Sequence, residues 1–196
     1  MGTTSTVLRR IGLVLTALLS IGGILFGLGY AFEDLPLGQA LLITAAIVVP
    51  LVGLSLIAGR SPELAPKVLT IGVGLFAVWA VIGVFVDIIN GPDVSLIALV
   101  LALPVAVMGQ LRATWSGVLL LALAAFPFLQ VLVRALRDTA EQGPPLGALL
   151  GGSTGIVVVP LAVLGLVFLL AGGTGHEGPT PSEAPVQPPA REPQPH

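Results

Sequence analysis

Apolar residues run along this chain in stretches long enough to cross a membrane, and the few charged residues fall in the gaps between them. About 20 apolar residues in a helix are needed to traverse a hydrocarbon core roughly 30 Å thick. On that scale the pattern predicts spans over 11–31, 38–58, 68–89, 114–133 and 146–171. A further apolar stretch, 94–109, has sixteen residues, about 24 Å at 1.5 Å per residue, so it either extends into its flanks, thins the bilayer or is re-entrant. The predicted fold is an all-α integral membrane bundle of six transmembrane helices, with five as the alternative. A short basic segment, 1–10, precedes it, and a disordered, proline-rich tail follows over 172–196, with seven prolines and no apolar run.

The charges decide between topologies. Outside the tail they sit at Arg9 and Arg10, Glu33 and Asp34, Arg60 to Lys67, Asp87 and Asp93, Arg112, and Arg134 to Glu141. Basic residues in short loops mark the cytoplasmic side. Six spans with the N-terminus inside place five basic residues in the cytoplasm against two outside, whereas a re-entrant fourth segment gives six against one. The charge rule alone favours five spans. Six is preferred because the chain carries a candidate internal repeat that needs the fourth segment to behave like the second and sixth. Ile47-Val-Val-Pro50-Leu-Val-Gly53 resembles Ile156-Val-Val-Val-Pro160-Leu-Ala-Val-Leu-Gly165, and Leu103-Pro104 through Gly109 is placed similarly. Three helical hairpins entering in the same sense would follow, an arrangement of parallel repeats used by some transporters. Chance recurrence among Leu, Val, Ala and Gly is the competing explanation, and Pro127 in the fifth span departs from the pattern.

Composition agrees with the pattern: 55% of residues are hydrophobic and 9% charged, against about 25% charged in ordinary soluble domains. Net charge is −2, with no basic block of the kind that binds nucleic acid. Cysteine is absent, which removes disulfides, thiolate ligands and thiol nucleophiles. The first apolar run is longer than the core of a secretory signal and further spans follow it, so it reads as a retained helix.

Small residues are the main candidates for function. Gly23 and Gly27 form one G-x-x-x-G, and Gly147, Gly151 and Gly155 form a ladder. Glycine at this spacing lets helices approach closely in lipid, where no hydrophobic force draws them together. These glycines serve contacts within the bundle or an interface with a second copy or another membrane protein. Pro50, Pro104, Pro127 and Pro160 are expected to kink their helices, since each removes a backbone donor and crowds the preceding turn.

Catalytic signatures do not survive their chemistry. Gly151-Gly-Ser153-Thr-Gly155 spells a nucleophile elbow, yet a serine needs a neighbouring base. The two histidines, His176 and His196, lie in the tail. Gly173-Thr-Gly175-His-Glu-Gly178 spells a dinucleotide fingerprint, but it follows a membrane helix rather than a strand and runs into Pro179. His176 and Glu177 lack further ligands at metal-binding spacing, so neither metal nor cofactor is expected. No ionisable residue falls mid-span, where burial costs about 2.5 to 3.5 kcal/mol and marks ion or proton paths; Asp87 sits at a span end. Gln130 reads as a hydrogen-bonding residue between helices. Trp79 is expected inside the bundle, and Tyr30 and Trp115 at its interfaces. Pro185-Val-Gln-Pro188 reads as part of a passive tail.

Arginine outnumbers lysine seven to one. With its basic start, its Ala, Leu and Val helices and its proline-rich end, the chain is similar to the small multi-pass membrane proteins of unknown function common in GC-rich bacteria. The resemblance covers the whole chain and is one of composition. It implies an inner-membrane location and carries over no site residues. The expected function is a non-enzymatic membrane component acting through the bilayer and through packing with itself or another membrane protein. A small permease built from hairpin repeats is the alternative.

Overall fold

The computed structural model describes residues 3–85, 94–142 and 153–173. Among the described residues there are helices and no strands. In chain order they are α1 (Thr3–Asp34), α2 (Leu37–Arg60), α3 (Ala65–Phe85), α4 (Val94–Gly109), α5 (Ala113–Gln142) and α6 (Ser153–Gly173). All but α4 are long and apolar enough to cross a membrane. A helix satisfies its own backbone polar groups, which is what a chain of this hydropathy needs in hydrocarbon.

Two elements are longer than the apolar pattern indicates. Helix α1 begins at Thr3 and takes in the basic segment, and α5 continues past Val133 to Gln142. Backbone hydrogen bonding carries a helix into polar sequence that hydropathy does not register. The ends of the expected third and sixth spans, 86–89 and 146–152, and the tail from 174 onward lie outside the described residues, as do Asp87, Asp93, Gly147 and Gly151.

The connections are tight. Pro36 precedes α2 and its carbonyl accepts from the Gln39 and Ala40 amides at 2.9 and 3.1 Å. The Ser61 amide closes α2 on Ile57, and the Ser61 carbonyl accepts from Ala65 at 2.9 Å, where α3 starts with Pro66 at a first-turn position that needs no donor. At the far end of α4, Leu111 and Arg112 both donate to the Met108 carbonyl at 2.9 Å, so the chain turns into α5 with its last carbonyls satisfied.

The short helix lies at the centre. Helix α4 packs against α1, α2, α3, α5 and α6. Ala98, Ala102 and Ala106, spaced one turn apart, are fully buried together with Val105. A helix sheathed by protein need not match the hydrocarbon thickness, which accounts physically for its sixteen residues. Helix α2 is the opposite case: only 6% of its apolar window is buried, with Ala40 and Ala58 as its buried residues.

Specific pairings fix the helix directions. Ser5 meets Ala171, Gly12 meets Phe168 and Arg9 meets Gln110, so α1 runs antiparallel to both α6 and α4. Gly117 against Gly165 and Gly172 against Thr114 set α5 antiparallel to α6. The Phe76 and Phe126 rings meet edge-on, centroids 6.2 Å apart, on α3 and α5.

Candidate functional site

The groups that position one helix against another form small-residue seams. Along α1 the stripe is Ser5, Gly12, Thr16, Ser20, Gly23 and Gly27, with steps of three, four and seven residues that keep one face of the helix. Ser5 Oγ donates to the Ala171 carbonyl at 2.8 Å, tying α1 to the end of α6. Thr16 Oγ1 donates back to Gly12 at 2.7 Å. A methyl group on Gly12 would come within 2.9 Å of the Phe168 ring. Methyl groups on Gly23 and Gly27 would run into the side-chain ends of Leu99 and Leu96 on α4. The Ser20 side chain is fully buried, and its hydroxyl has no hydrogen-bond partner.

The second seam joins α5 and α6. A methyl on Gly117 would stand 2.8 Å from both the Gly165 carbonyl oxygen and the Leu169 nitrogen. One on Gly165 would stand 2.8 Å from Leu121 Cγ and 3.1 Å from the Gly117 carbonyl oxygen. Here backbone meets backbone, which is the close approach that glycine permits in membrane helices. Farther along, Gly172 faces Thr114.

Phe168 joins the two seams. Among the described residues it is the largest fully buried side chain, and its ring lies against Gly12 of α1 and Gly109 at the end of α4. Beside it Ser116 Oγ donates to the Val105 carbonyl at 2.7 Å, linking α5 to α4. At this same end Arg9 Nη1 donates to the Gln110 carbonyl at 3.2 Å, and Gln110 Nε2 donates to the Arg9 carbonyl at 2.8 Å. Each side chain therefore caps the other residue's backbone.

Of the residues singled out from sequence, Gly23 and Gly27 lie over α4, and Gly155 is buried in α6. Pro50, Pro104, Pro127 and Pro160 fall inside α2, α4, α5 and α6, with Pro104 and Pro127 fully buried. Gln130 is buried and Trp79 half-buried against the core, whereas Trp115 is 49% exposed near the start of α5. Ser153 begins α6. The packing roles of Gly12, Gly109, Gly117 and Gly165 do not show in the sequence, because none has a second glycine four residues away on its own helix and each finds its counterpart on another.

The hydroxyls of Ser5, Thr16, Thr44 and Ser116 donate to backbone carbonyls, which is positional work rather than nucleophilic activation. Among the described residues no group of three or more His, Cys, Asp or Glu gathers. The chain finds no match among protein families, curated proteins or solved structures.

Proposed function

We propose that the chain is a six-pass, non-enzymatic protein of a bacterial inner membrane, with its N-terminus in the cytoplasm, and that it works by packing with a second copy or another membrane protein through the outward face of α2. The six-pass reading is supported by the alternating directions of the helices, with the end of α4 beside the start of α1. On that topology Arg9, Arg10, Arg60, Lys67 and Arg112 share one end with Glu63, and Glu33 and Asp34 stand at the other. The basic end faces the cytoplasm by the charge rule. Along the chain the helices group as three hairpins, α1–α2, α3–α4 and α5–α6, entering from the same end.

The observation that carries the packing role is the contrast between used and unused glycines. Gly12, Gly23, Gly27, Gly109, Gly117, Gly165 and Gly172 each face a neighbour; Gly22 and Gly29 of α1, Gly74 of α3 and Gly173 of α6 have open space where a side chain would stand, and so do Gly38 and Gly53 of α2. These last two belong to the helix with least of its surface covered. A permease would need a polar path through the bundle, and the centre is filled by the apolar side chains of α4.

The absence of cysteine permits single-cysteine cross-linking without background. In native membranes Val49→Cys and Leu56→Cys on α2 should give a discrete cross-linked species, and Leu129→Cys on α5 should not. A monomer alone at both α2 positions would refute the packing role.

A further inference from the structure

Helix α2 stands away from its neighbours on both flanks. One cleft, of about 950 Å³, opens between α2, α3 and α4, and its walls include Ile43 and Pro50, Gly72 and Trp79, and Leu96. A second, of about 780 Å³, lies between α2 and α1 and shares Ile43, Ile47 and Leu96 with the first. The side chains of the first cleft are almost wholly apolar, so water has few partners there, and apolar cavities stay dry.

We propose that the cleft between α2, α3 and α4 holds one acyl chain of a membrane phospholipid, from the leaflet in which α2 begins; this rests on the membrane reading above. The dimensions select a chain over a helix. The lining runs from Leu42 to Pro50 on α2 and from Gly72 to Trp79 on α3, about 10 to 12 Å at 1.5 Å per residue. That fits within one leaflet, roughly 15 Å or half of the hydrocarbon core. A partner helix crossing the membrane would need a groove about twice as long. The cleft involves the first half of α2 and the start of α4, toward the end where Glu33 and Asp34 are exposed. A zwitterionic headgroup bearing an amine suits those acids better than an anionic one.

The chain contains two tryptophans, and Trp79 lines the cleft, so Trp115→Phe leaves a reporter inside it. This variant is reconstituted in vesicles of zwitterionic phospholipid with brominated acyl chains, which quench tryptophan by contact. The reference is Val78→Trp in a background of Trp79→Phe and Trp115→Phe, since Val78 is 58% exposed on the same helix. Two variants fill the cleft from opposite walls: Gly72→Leu, where an added methyl meets only Leu101 at 3.8 Å, and Ala46→Phe. Trp79 emission should be lost in brominated vesicles and restored by either filling variant, with the reference quenched throughout. An unquenched Trp79 beside a quenched reference would overturn the proposal, as would quenching that persists in both filled variants. If the reference is also unquenched, the membrane reading itself fails.

Discussion

Gly117 and Gly165 meet backbone to backbone where α5 crosses α6, so closely that a methyl on the first would stand 2.8 Å from the carbonyl oxygen of the second. Backbone cannot swing aside as a side chain can. Gly117→Ala should therefore destabilise the protein by about 1 to 3 kcal/mol, the range for overpacking. Gly23→Ala should cost less, because the atom in its way is the end of the Leu99 side chain, which borders an open cleft. Gly53→Ala should be neutral or stabilising, having open space and better helix propensity. Thermal unfolding in mild detergent would rank the three; equal effects of Gly117→Ala and Gly23→Ala would contradict the backbone contact.

Phe168 should be the most sensitive apolar position. It is fully buried and bridges α1, α4 and α6 through Gly12 and Gly109. Phe168→Ala is expected to cost about 3 to 5 kcal/mol, as for large-to-small changes in tightly packed cores. Retention of the wild-type melting temperature would show that the ring is not seated between those glycines.

The buried hydroxyls should respond in opposite directions. Ser116 donates to Val105, and Ser116→Ala should lose about 0.5 to 1.5 kcal/mol. Ser20 is buried with its hydroxyl unpaired, so Ser20→Ala removes a desolvated polar group and should raise stability by up to about 1 kcal/mol. A parallel loss at both sites in the same unfolding assay would mean that Ser20 is engaged after all.

Topology can be read with reporter fusions. Six passes with the N-terminus inside require cytoplasmic signals after Arg112 and Ala171 and an external signal after Arg137. A cytoplasmic signal after Arg137 would instead fit five passes with α4 re-entrant.

The sequence was most legible where lipid chemistry sets the answer. Among the described residues α4 runs over Val94–Gly109 and α2 over Leu37–Arg60, against apolar stretches read at 94–109 and 38–58. What the pattern did not reveal is which helix is central. In water the buried face of a helix is the apolar one, but in hydrocarbon Ala98 at the core and Val49 on the outside are equally at home. The seams were legible only where both glycines lie on one helix, as with Gly23 and Gly27. Gly117 and Gly165 form a motif only after the chain has folded. The stripe from Ser5 through Gly12, Thr16 and Ser20 was readable from its helical spacing, had small hydroxyls been counted together with glycine.

The central position of α4 has a consequence for synthesis. It emerges from the ribosome fourth, after only part of its sheath has been made, while α5 and α6 are still to come. Until they arrive, the face that will carry Val105 against Ser116 has only lipid or the insertion machinery as its neighbour. Helix α4 thus finds most of its packing partners, α1, α2 and α3, among helices made before it, and α5 and α6 close its sheath last. A chain stopped after Gly109 should therefore leave the side of α4 that faces α5 and α6 uncovered, and be cut by protease faster than the full chain.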